Sequence, residues 1–205
     1  MRTDQFSAND KGGADEIDLH MAEFAPVTDA DLPAIKEIYD HYILTTTATF
    51  HETPVSLDEL PGYVPVDDPK HPSFAIRSDG SLVGFCSCSP YKRRSAYDRT
   101  VELSVYLSPG FTGRGLGTAA LARLESAATA AGICVMVGTV CGENSAGIRL
   151  MERCDYTRCG CLRNVGEKFG RTLDVVLYQK ELSHPETPAR RHVSLTVGRL
   201  WPEFG

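Results

Sequence analysis

No stretch of this chain approaches the roughly 20 apolar residues that a bilayer crossing requires, and the first residues contain no hydrophobic signal core. The expectation is a soluble, cytoplasmic protein without a membrane partner. Nor is there an excess of basic residues: 21 Lys and Arg stand against 27 Asp and Glu, a formal charge of −6. A nucleic-acid surface depends on clustered cations that neutralise phosphates, so no nucleic-acid partner is expected. The one basic cluster, Lys92-Arg93-Arg94, reads either as a solvated loop or as a grip on an acidic group. Seven cysteines are an odd number, and none forms a C-x-x-C pair; the spacing is wrong for zinc, and no metal site is expected. Cys86/Cys88 and Cys159/Cys161 fall in strand-like runs. Each pair therefore shares a face, and both pairs are expected to be buried as small hydrophobes.

The chain does have enough apolar material for one enzyme-sized core, with 42% hydrophobic content over 205 residues. Residues 1–20 lack a hydrophobic period and read as a flexible N-terminal extension. Residues 183–205, with three prolines and the only tryptophan, Trp201, read as a C-terminal extension. Between them, 21–182 form the expected domain. Thr28 to Asp31 cap a helix whose apolar face carries Leu32, Ile35, Ile38, Tyr39, Tyr42 and Ile43. Ser73 to Arg77 and Leu82 to Ser89 flank an Asp79-Gly80 turn and predict a hairpin. Strand Val101 to Leu107 leads through a glycine loop into a helix that starts at Leu116 and ends before Gly132. The continuously apolar run Ile133 to Val140 predicts a strand parallel to the Val101 strand. Asn144 caps a helix through about Cys154, and strands Tyr156 to Asn164 and Leu173 to Glu181 follow. The fold class is α/β of the mixed α+β kind.

Gly113-Arg114-Gly115-Leu116-Gly117-Thr118 is the motif richest in chemistry. Glycines let the backbone curl around an anion, and the first-turn amides and dipole of the following helix favour negative charge. The loop lacks the Gly-Lys-Ser/Thr of a Walker A motif, and Thr118 stands where a dinucleotide fingerprint has its last glycine. A bland glycine turn remains the alternative.

Tyr97 to Ser108, then Phe111 to Thr118, with Thr45 to Phe50, Asn144-Ser145 and Tyr156, resemble the GNAT superfamily of N-acetyltransferases, specifically its phosphinothricin acetyltransferase branch. The resemblance runs from about Ala22 to Leu182. It implies a mixed, mostly antiparallel central sheet with helices on both faces and a parallel strand pair at the acetyl-CoA site. It also implies a homodimer, acetyl-CoA as co-substrate and direct transfer to a primary amine. By the same resemblance Gly113 to Thr118 (Gly113, Arg114, Gly115, Leu116, Gly117, Thr118) wrap the pyrophosphate, and Asn144 reaches the pantetheine arm. Asn144 also suits a plain N-cap. The backbone of Val105, Tyr106 and Leu107 can hold that arm in sheet fashion and polarise the acetyl carbonyl.

Glu102 shares a strand face with Ser104 and Tyr106. An amine acceptor arrives protonated, and only the neutral amine attacks a thioester, so a carboxylate that drains the proton is useful. The matching family position is the general base; the alternative is an ion pair with Arg94 or Arg99. Phe50, Lys92, Arg94 and Tyr97 match positions near the acceptor, which suggests a small amino acid or analogue such as phosphinothricin, methionine sulfoximine or methionine sulfone. A peptide N-terminus and a non-catalytic acyl-CoA sensor are the rival readings. Two departures stand out. Thr112 replaces the usual Gln or Arg at the start of the loop, with Arg114 nearby to compensate. Met151 replaces a Tyr or His that could protonate the leaving thiolate, and a thioether cannot donate a proton.

Overall fold

Thr28 opens the first helical segment by a reciprocal cap: its amide and hydroxyl both donate to Asp31 Oδ2, at 2.9 and 2.8 Å. A single 3₁₀ turn over Asp29–Asp31 then runs into α1, Leu32–Thr45, with Pro33 early enough to leave the hydrogen-bond ladder intact. Asp31 is buried and ion-paired to Arg77, which ties this helix start to the sheet. The computed structural model describes residues 22–183. Both proposed extensions, 1–20 and nearly all of 183–205, lie outside the described residues.

The remaining elements are β1 Glu23–Pro26, β2 Ser73–Ser78, β3 Ser81–Pro90, β4 Thr100–Leu107, α2 Leu116–Ala130, β5 Val135–Cys141, α3 Ser145–Arg153, β6 Thr157–Lys168 and β7 Arg171–Glu181. They build a seven-stranded sheet in the order β1-β2-β3-β4-β5-β7-β6. Every pairing is antiparallel except β4 with β5. The β2–β3 hairpin closes through Asp79 and Gly80, both at positive φ (50° and 76°), the handedness that matches strand twist.

Alternation sorts the sheet residues onto two helical layers. Phe74, Ile76, Cys86, Cys88, Val101 and Leu103 point toward α2, joining Leu116, Leu121 and Leu124 in the larger core. Ala75 and Phe85 point the other way, against Ile35, Tyr39 and Ile43 of α1, with Tyr106 packed on this second core. Seven Ile, Val, Leu and Met side chains of the first core are no more than 1% exposed, each contributing on the order of 1.5–3 kcal/mol.

Burial raises the pKa of Tyr39, Tyr42, Tyr106 and Tyr156, and pushes the Cys88 thiol up to about 12. These groups hold protons in the folded state that the unfolded chain releases near pH 9 to 10, so their contribution is fully present below that range and is lost above it. Stability measured by guanidinium unfolding should stay level from pH 7 to about 9 and fall steadily beyond it. A flat profile to pH 11 would contradict these burials.

Two expectations need correction. Cys86 and Cys88 are buried, but Cys159 and Cys161 are exposed: β6 is the outermost strand, most of its residues are exposed, and a register shift between Arg158 and Gly160 falls at Cys159. The last hairpin is also longer than predicted. Asn164, read as a strand end, sits at φ 52° within a register shift between Leu162 and Gly166, and the turn lies at Phe169-Gly170 (φ 52° and 69°).

Candidate active site

β4 and β5 pair over only three residues: Thr100 with Val135, Val101 with Met136, Glu102 with Val137. Both strands continue, to Leu107 and Cys141, but they no longer touch through backbone bonds. The resulting wedge is a cavity of about 300 Å³, walled by Leu103 to Leu107 on one side and Gly138 to Val140 on the other.

One wall of the wedge is an unused strand edge. The Ser108 amide donates to the Val83 carbonyl at 2.8 Å, so ladder bonds to β3 fall on alternate residues of β4, and the backbone groups of Val105 and Leu107 turn toward the wedge. The Leu107 carbonyl is taken there by Tyr42 Oη at 2.6 Å. Val105 N–H and C=O and Leu107 N–H are left facing the opening, an arrangement that accepts an extended amide-bearing arm as a further strand.

The glycine loop closes one end. Gly113 and Gly115 sit at φ 76° and 85°, a region costly for any side-chain-bearing residue. Gly115 is the N-cap of α2, and no side chain caps the helix. The amides of its first turn are therefore open to an anion. Gly113, Gly115, Gly117 and Thr118 all line the cavity. Leu116 does not: its side chain is fully buried in the core, which leaves only its amide for a ligand. Arg114 lies beside the loop with its guanidinium 5.8 Å from the Phe111 ring. A Cβ on Gly117 would come within 3.2 Å of Leu150, so this glycine also lets α3 pack against the start of α2.

On the β5 side, Met151 is buried and reaches over Gly138, where a Cβ would meet its Sδ at 2.7 Å. The thioether thus fills the floor of the wedge. Asn144 Oδ1 accepts from the Gly147 amide at 2.9 Å as a helix cap, and the residue lines the cavity, its amide nitrogen still available as a donor.

Across 35–156, more than half of the chain, the sequence matches the model of the acetyltransferase (GNAT) family. The chain belongs to that family. Over 163 residues it is 36% identical to phosphinothricin N-acetyltransferase of Alcaligenes faecalis, covering 78% of this chain and 83% of that protein. It is 34% identical over 160 residues to the L-methionine sulfoximine/L-methionine sulfone acetyltransferase of Salmonella typhimurium, covering 78% and 94% respectively. Among solved structures, a GNAT superfamily phosphinothricin acetyltransferase from Sinorhizobium meliloti in complex with AcCoA superposes with a TM-score of 0.76 at 30% identity, covering 86% of this chain and 97% of that one. The mixed sheet with one parallel pair is the fold of these GNAT neighbours.

In this GNAT chain Glu102 stands at the last β4–β5 pair, the apex of the wedge, while the cavity lining begins one residue further on at Leu103. Among the described residues it makes no ion pair, with Arg94, Arg99 or any other cation. Its strand face is that of Tyr106, whose ring packs against Tyr39, Tyr42 and Phe85 at 5.0 to 5.3 Å, so Glu102 points to the α1 side of the sheet.

Phe50, Lys92, Arg94 and Tyr97 are not part of the cavity lining. Phe50 is 36% exposed, and its ring crosses so close to Gly166 that a Cβ there would collide with it. The loop that carries it is latched by the buried Lys168, whose Nζ donates to the Thr49 carbonyl at 2.8 Å, with desolvation lowering the pKa of the amine. Lys92 lies over the Tyr91 ring, and Tyr97 meets the same ring edge-on; Arg94 precedes the turn Ser95–Tyr97. That exposed segment enters β4 two residues before Glu102.

Sequence reasoning missed Tyr42, Ser104, Thr139, Arg149 and Arg153, which line the cavity. Tyr42 was legible as an apolar-face residue of α1, but its hydroxyl bond to Leu107, 65 positions away, leaves no local signal.

Proposed function

We propose that this chain moves the acetyl group of acetyl-CoA directly to the primary amine of a small amino acid or analogue of the phosphinothricin or methionine sulfoximine type. The observation that carries the reading is the wedge itself, an open strand edge at Val105 and Leu107 that ends in an uncapped helix N-terminus flanked by two positive-φ glycines. An acyl-CoA offers a matching series: a thioester, an amide-bearing arm and a diphosphate. The names of the relatives at 32–36% identity support the acceptor class.

In this mechanism the acceptor nitrogen attacks the thioester carbonyl carbon, the C–S bond breaks, CoA leaves as a thiolate, and the nitrogen sheds its second proton to water as the amide forms. Glu102 takes the ammonium proton first, directly or through water, so that the nitrogen holds a lone pair when it attacks. Its place at the wedge apex, without an ion-pair partner, supports that role. A backbone amide of Val105 or Leu107 polarises the acetyl oxygen. Met151 cannot protonate sulfur; a thiol of pKa near 8.5 leaves tolerably as the thiolate and collects its proton from solvent.

Phe50, Lys92, Arg94 and Tyr97 form the acceptor side in this reading, with a cation of the Lys92 to Arg94 segment meeting the acceptor's carboxylate or phosphinate. The enzyme acts as a homodimer in the cytoplasm. Exposed Leu162 and Val165 on the outer strand β6 support self-association, and seven free cysteines suit a reducing compartment. No helix among the described residues is long and apolar enough to cross a membrane. Thiol release from acetyl-CoA across a panel of phosphinothricin, methionine sulfoximine, methionine sulfone, free amino acids, polyamines and a short peptide tests the reading. Release with an amino-acid analogue is expected; release with the peptide alone would overturn the acceptor class.

A further inference from the structure

The chain as a whole is acidic, at −6, yet the only fully charged side chains lining the cavity are two arginines, Arg149 and Arg153. They lie one turn apart on α3 and so share a helix face. Both are exposed, and neither has an ion-pair partner among the described residues. The nearby carboxylates are occupied elsewhere. Glu143 pairs with Arg171 at 3.0 Å, Glu125 with Lys180 at 2.8 Å, and Glu152 accepts from Tyr178 Oη at 3.3 Å. Leu150, between the two arginines in sequence, packs on Gly117 in the first turn of α2. This sets α3 beside the glycine loop.

CoA carries two separate anionic groups, a diphosphate within the chain and a terminal phosphomonoester on the ribose 3′-oxygen. The loop can serve the first through backbone amides. It has no second set for the other, whose three free oxygens suit guanidinium forks. We propose that Arg149 and Arg153 form a separate subsite that receives the 3′-phosphate, so that the enzyme distinguishes CoA from dephospho-CoA. The inference rests on the acyl-CoA reading above. Because both groups are exposed, the discrimination weakens as ionic strength rises.

Calorimetric titration of the full chain with CoA and with dephospho-CoA tests this without need of an acceptor. The wild type should bind dephospho-CoA about 10- to 100-fold more weakly than CoA at low salt, as expected for loss of one or two charge-assisted contacts. The R149Q/R153Q double variant should bind both within about threefold of each other, its affinity for dephospho-CoA matching that of the wild type. Equal binding of the two ligands by the wild type would overturn the subsite, with the acyl-CoA reading intact. So would full discrimination by the double variant. Failure of the wild type to bind either ligand would overturn the acyl-CoA reading and this proposal with it.

Discussion

Glu102→Gln is expected to lower turnover by about two to four powers of ten, the range associated with removal of a general base, while affinity for CoA stays within about twofold. The amide keeps the size and polarity of the carboxylate but cannot take a proton from the acceptor. Because Glu102 makes no ion pair among the described residues, the change breaks no salt link, and the melting temperature should be nearly unaltered. The loss should shrink at high pH, where a larger fraction of the acceptor amine is already neutral. Steady-state kinetics from pH 7 to 9.5 read turnover and its pH dependence, a CoA titration reads affinity, and thermal unfolding reads the melting temperature. Unchanged turnover would remove Glu102 from the chemistry, and parallel loss of CoA affinity would make it a structural residue of the wedge.

Gly115→Val carries the second large effect. At φ 85° a β-branched residue is strained by about 1–2 kcal/mol, and its Cβ stands where an anion must approach the first-turn amides. CoA affinity should fall by about two powers of ten, the equivalent of about 3 kcal/mol. Gly132→Val supplies the control: it imposes comparable backbone strain at φ 80°, at the other end of α2, with open space around the added Cβ. It should cost stability without changing CoA affinity. If both variants lose affinity equally, the effect belongs to helix strain and the loop is not the anion site.

The elements that carry these residues were visible in the sequence wherever local chemistry decides structure. The glycine loop, the apolar run at Ile133 to Val140 with its parallel pairing and the Asp79-Gly80 turn each constrain the backbone by themselves, and the resemblance added the proposed base role of Glu102. What escaped depends on pairing or packing between distant segments. β1 has only four residues, Glu23–Pro26, and exists because β2 lies beside it. Alternation puts Cys159 and Cys161 on one face, but a register shift between Arg158 and Gly160 interrupts it in the folded sheet. Asn164 gave a true turn signal, yet the sheet absorbs it as an irregularity within β6. The four-residue spacing of Arg149 and Arg153 was equally plain. Which way that face looks is set by Leu150 on Gly117, a contact between helices that no local pattern encodes.

The central claim, direct acetyl transfer to a small amino-acid amine, is tested most directly by running the acceptor panel with acetyl-CoA trideuterated in its acetyl group and reading both acceptor and protein by mass spectrometry. The account predicts the labelled acetyl on the amine of phosphinothricin, methionine sulfoximine or methionine sulfone, one CoA thiol released for each acetyl transferred, and no label on the protein when acceptor is withheld. Label that accumulates on the protein, or no labelled acceptor despite tight CoA binding, would contradict it.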